Sequence, residues 1–123
     1  DAKGSEKLAL HAQKDMSTEV LNDRSTRVVH DHTESVGNNQ VITVRKDRHK
    51  EIIGTEVSSI GTRQVTVEKT SVLSAKGAIT IQSTEAGIHI GNTKGSISID
   101  KEGNIHITGD TVIINGQKVI TLN

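Results

Sequence analysis

The residues of this chain that could do chemistry are its imidazoles, carboxylates and hydroxyls, and only one grouping has a spacing that invites a site. His30-Asp31-His32 is the sole His-x-His pair. Were three chains to meet on an axis, it would bring six imidazoles together, a donor set suited to an octahedral divalent cation. The neighbouring pattern argues against this. His30 and His32 fall third and fifth in an eight-residue repeat whose fifth column is otherwise filled by residues such as Arg24, Gln40 and Glu56. A solvent-facing placement is expected, with no metal and no cofactor. Acid–base or nucleophilic catalysis needs a carboxylate pair, or a nucleophile with its base, held in a cleft that excludes water. Here Asp, Glu and Ser recur at repeated polar positions that imply no cleft, so no catalytic residue is expected. His89 and His106 each stand between two isoleucines and are expected to point outward.

The elements that position these residues follow from a repeat. From Val20 the chain divides into octads: VLNDRSTR, VVHDHTES, VGNNQVIT, VRKDRHKE, IIGTEVSS and IGTRQVTV. Each opens with a β-branched aliphatic, namely Val20, Val28, Val36, Val44, Ile52 and Ile60, and its fourth and fifth positions are polar. A 3.6-residue helical turn would walk the aliphatic position round the surface, and a hexapeptide coil needs six residues, so eight fits one short strand plus one tight corner. Gly37, Gly54 and Gly61 sit at that corner. They are expected to supply positive φ or a close backbone approach.

Strand style changes near residues 68–78. A glycine (Gly77, Gly87, Gly95, Gly103) now precedes an Ile-x-Ile dyad: Ile79 with Ile81, Ile88 with Ile90, Ile97 with Ile99, and Ile105 with Ile107. Period two puts both isoleucines of a dyad on one strand face. Residues 111–123 read as two strands joined at Asn115-Gly116, a hairpin-type dipeptide. The alternating Leu8-Ala-Leu-His-Ala-Gln reads as an opening strand. The expected organisation is a lead-in over residues 1–19 and one β body over 20–123, with octads at 20–67 and Ile-x-Ile strands at 77–122.

Composition limits how such a body finds a core. The chain has no Phe, Tyr or Trp and only 32% apolar residues, yet 12 Val, 15 Ile and 14 Thr favour strands. No proline bars a backbone N–H from a ladder. Fifteen basic residues balance fifteen acidic ones, with no aromatic to stack on a base, which excludes a nucleic-acid partner. Without cysteine there is neither disulfide nor thiolate metal site. No apolar run is long enough for a membrane helix or a signal segment. The first residue is Asp1, and the chain is expected to be a piece of a longer protein.

One octad layer from one chain encloses almost nothing. Three parallel copies bring three β-branched side chains to a common axis at each level and pair each other's free strand edges. The fold class expected is therefore all-β: an intertwined trimeric parallel β-helix, or triangular β-prism, built from octads and then Ile-x-Ile repeats. Its core comprises the six opening residues and the eight dyad isoleucines named above. At about 4.8 Å per octad the six octads make a shaft roughly 30 Å long, and the dyads extend it to about twice that. A stack must end, and Val119, Ile120, Thr121 and Leu122 offer an apolar last layer on which another protein could dock by strand addition.

The octad beginning VGNN at Val36, its surroundings VLNDRSTRVVHDHTESVGNNQ, and HAQKDM over residues 11–16 together resemble the VgrG family, named for its valine-glycine repeats. The resemblance covers essentially the whole chain. It implies a homotrimeric, non-enzymatic, cell-puncturing spike of a type VI secretion apparatus. It further implies a PAAR-repeat tip protein at the C-terminal end, and a secretion tube and baseplate engaged through a preceding body. Such a spike is assembled in the bacterial cytoplasm, pierces a target-cell envelope and delivers effectors, any effector domain following Asn123. A contractile-phage tail spike shares the same mechanics. A glycan-binding or glycan-cleaving β-helical fibre is a weaker alternative, because it calls for exposed aromatics to stack on sugars.

Overall fold

The computed structural model describes Gly4, residues 6–121 and Asn123. The chain forms two units, Asp1–Val57 and Ser58–Asn123. In the first, the described residues form neither helix nor paired strand, and the backbone bends at Gln13-Lys14, Leu21-Asn22, Val29-His30, Gly37-Asn38, Arg45-Lys46 and Ile53-Gly54. These bends recur every eight residues. They occupy the second and third positions of each octad, so the period read in side-chain type is also a period of the backbone. It begins one repeat before the octad that opens at Val20, with Ala12 in the opening position. The opening strand expected over residues 8–13 is not formed within the chain, which offers no partner edge there.

The corner is one that any L-residue can adopt. Among the described residues only Gly4 and Gly103 have positive φ, and a Cβ placed on Gly37, Gly54 or Gly61 meets nothing within 4 Å of its own chain. That is why Leu21-Asn22 and Arg45-Lys46 turn at the same place as Gly37-Asn38.

In the second unit the bends continue at Gly61-Thr62, Glu68-Lys69, Lys76-Gly77 and residues 84–86. Three strands follow: β1 (Ile88–Gly91), β2 (Ser96–Ile99) and β3 (Ile105–Thr108), paired antiparallel in the order β1-β2-β3. The repeat pattern predicts that these dyads stack in a parallel prism. Within the chain they form a meander instead, because loops of four and five residues can join antiparallel neighbours but are too short for a parallel crossover. Gly87 and Gly95 allow the backbones to approach. A Cβ on Gly87 would stand 2.5 Å from the Ile99 carbonyl oxygen, and one on Gly95 2.9 Å from that of Thr108.

The Ile79–Ile81 dyad and residues 111–121 are not strands within the chain. The turn expected at Asn115-Gly116 is replaced by a bend at Gln117-Lys118, where Ile120 lies so close over Gly116 that a Cβ there would meet its Cγ1 at 2.5 Å. The fold is all-β. No helix of the described residues is long and apolar enough to cross a membrane.

Candidate functional site

None of the described residues is buried. The chain exposes 14172 Å², whereas a compact 13.2 kDa monomer exposes about 6,400 Å² and an unfolded one about 19,000 Å². The missing core must come from association, and two surfaces have the chemistry for it.

The first is the opening column. Val20, Val28, Val36, Val44 and Ile52 are each 44–47% exposed and Ile60 is 56%. Second-position aliphatics stand out much further, at 75–96% for Leu21, Val29 and Ile53. About half of each opening side chain is thus covered within its own chain and the rest is open. The polar columns lie elsewhere: Gln40 Nε2 donates to Glu34 Oε1 at 3.3 Å, and Lys50 pairs with Glu56. In both cases the seventh position of one octad meets the fifth of the next. Solvated pairs of this kind add little stability. His32, also in the fifth column, lies 3.7 Å from Glu34, and His30 sits in a bend. Among the described residues no group of three or more potential ligands is placed to hold a metal ion.

The second surface is one face of the meander. The register sets Ile88 opposite Ile99 and Ile99 opposite Ile105, and likewise Ile90 opposite Ile97 and Ile97 opposite Ile107. Directly opposed residues share a face, so six isoleucines form two rows of three. The other face carries the row His89, Ser98, His106, as the dyad pattern predicted. In β2 burial is inverted relative to an ordinary sheet: Ser96 and Ser98 are half-buried while Ile97 and Ile99 are exposed.

Sequence reasoning missed one organised polar feature. Asp100, closing β2, accepts hydrogen bonds from the backbone N–H of Glu102 (3.1 Å) and Asn104 (2.8 Å) on Oδ1. Its Oδ2 accepts from Asn104 Nδ2 (2.9 Å) and lies 3.1 Å from His106 Nε2. The Asn104 side chain and backbone, His106 and the Glu102 backbone hold its carboxyl down at about 2. Gly103, at φ 89°, takes the left-handed conformation that closes the loop. The signal was Asp-Lys-Glu-Gly-Asn, an Asx turn followed by glycine. This feature shapes the hairpin between β2 and β3.

Ile79, Ile81, Val119, Ile120 and Thr121 are exposed, and Leu122 lies outside the described residues.

What these surfaces define is a repetitive β chain that completes its core with other chains. The match to known families agrees: residues 1–107 fit the family described as the bacteriophage T4 gp5 C-terminal trimerisation domain, and the chain belongs to that family. The matched span contains every octad and the meander as far as Ile107. The chain is thereby related to phage-tail spikes, and a homotrimer is the assembly this family forms.

Proposed function

We propose that this chain is the rigid trimeric needle of a cell-puncturing spike of the VgrG type, the tip of a type VI secretion apparatus. The observation that carries the reading is the coincidence of the trimerisation-family match over residues 1–107 with a half-open aliphatic column repeated every eight residues. In the trimer the chains wind into a β-prism, with the opening residues and the dyad isoleucines on its axis. Octad backbones that lack strand partners in one chain find them in the other two. Such a rod resists bending because many interchain bonds must break together, which suits a structural rather than a catalytic role. The apolar Val119-Ile120-Thr121 end takes a PAAR-repeat tip protein, a preceding body engages the secretion tube and baseplate, and the assembly is driven from the cytoplasm through a target envelope.

The family match favours a second reading, the needle of a contractile-phage tail spike, on equal mechanical grounds. Two experiments separate them. A cognate PAAR protein should be retained by the full chain and lost by a version ending at Gly116. In cells with a contractile secretion apparatus, the protein bearing this chain should leave the cell only when the sheath is functional. Recovery solely in phage particles would sink the secretion reading and leave the phage one.

A further inference from the structure

Strand pairing within the chain is confined, among the described residues, to Ile88–Thr108. The octads before it resemble one another in opening residue, bend position and polar columns. A chain shifted by eight residues against its neighbours would still set aliphatic against aliphatic, Val28 level with Val36, and bend against bend. Repeats of this kind specify their register weakly. Among the described residues the meander occurs once and has no equivalent elsewhere. Its three strands pair with one another within a single chain, leaving only the outer edges of β1 and β3 open. Its loops are short, so little closure entropy opposes it, and they carry bonds of their own: Asn92 N–H to Gly95 O at 3.0 Å, and Asp100 N–H to Asn104 O at 3.0 Å.

We infer that the Ile88–Thr108 meander is the register-setting nucleus of the trimer: it folds within each chain, presents its six-isoleucine face to two further copies of this chain, and the octads then pair from it toward the N-terminus. The inference rests on the trimeric reading. The occupant of the face is another copy because the face lies inside the matched trimerisation span, which runs to Ile107. It also continues the β-branched chemistry of the opening column. The opposite face bears the polar row His89, Ser98 and His106, with Asp100 beside it, and offers no apolar surface to a second copy. Area decides how much the face can do. Six half-open isoleucines offer roughly 500 Å² per chain, short of the about 800 Å² per partner that a stable interface buries. The face can align three chains, and the octads must lock them.

The test uses the full chain refolded from denaturant, with trimer formation followed in time. Ile97→Ala should slow assembly tenfold or more, whereas Ile60→Ala should change its rate less than twofold and instead speed dissociation. A second readout reports register directly, since the chain has no cysteine of its own. Chains carrying Val28→Cys and Val44→Cys are refolded together. With an intact meander only 28–28 and 44–44 disulfides should form. Adding Ile97→Ala and Ile107→Ala should produce 28–44 disulfides, the mark of a two-octad slip, and adding Ile52→Ala and Ile60→Ala should not. Equal slowing by Ile97→Ala and Ile60→Ala, or in-register disulfides formed as fully in the meander variant as in the unaltered meander, would overturn the inference while leaving the trimer standing; a one-octad slip, which sets Val28 level with Val36, shows as a loss of the 28–28 and 44–44 disulfides. An unaltered chain that never trimerises would remove the trimer itself.

Discussion

Replacing Val36 by aspartate places a carboxylate in the opening column with little change of volume. Val36 is 47% exposed in one chain, so closing the remaining half is worth about 1 kcal/mol per chain, and the substitution forfeits it. The larger cost is the carboxylate, which loses its water at a three-fold axis with no cation beside it. After relaxation that costs several kcal/mol per ion, about 3–5. Summed over three chains the loss is about 10–20 kcal/mol per trimer, which at 1.4 kcal/mol per decade lowers the assembly constant by seven orders of magnitude or more. Sedimentation velocity at micromolar concentration should show unassembled chain. Asn39→Asp, in the polar fourth column, should sediment and melt like the parent. Acidification toward pH 4 should partly restore Val36→Asp, because the neutral acid is cheaper to bury. A Val36→Asp trimer with the melting temperature of Asn39→Asp would refute the inward assignment of the column.

The Asp100 loop carries a pH dependence of known sign. Its carboxyl sits at about 2 when folded against an ordinary 3.8, so its contribution is complete above about pH 4 and is lost as pH falls through about 2. Hydrogen-exchange protection of the Glu102 and Asn104 amides should fall over that window, and Asp100→Ala should leave both amides unprotected throughout; protection that ignores pH would contradict the network. Gly95→Ala drives a Cβ to 2.9 Å from the Thr108 carbonyl oxygen and should destabilise the meander by about 1–3 kcal/mol, read as a lowered Tm; an unchanged Tm would mean the strands do not approach so closely. EDTA should leave the Tm of the assembled protein where it was, and a drop of several degrees would place a metal at His30 and His32 after all.

The sequence disclosed the octads because one residue type opens each of them, and a β-branched side chain every eight residues has few structural explanations. The corner was legible in place but not in kind. Glycine at Gly37, Gly54 and Gly61 suggested positive φ, yet the turn is one that Leu21-Asn22 makes equally well. For the dyads, period two fixed the shared face of Ile88, Ile90, Ile97, Ile99, Ile105 and Ile107, but it is silent on direction, since parallel and antiparallel strands share it. Direction was legible in the gaps. Asn92-Thr-Lys-Gly95 and Asp100-Lys-Glu-Gly103-Asn104 are hairpin lengths, and the same residues held the Asp100 network. Asn115-Gly116 failed as a turn signal because a dipeptide preference needs two strands to join, and residues 111–121 have no partner edge in their own chain.

The decisive question is whether the missing core is supplied by two more copies of the chain. Light scattering coupled to size exclusion, on the intact chain at micromolar concentration, should give three times the 13.2 kDa chain mass, unchanged on dilution because so much surface is shared. A folded, β-rich species of one chain mass would contradict it.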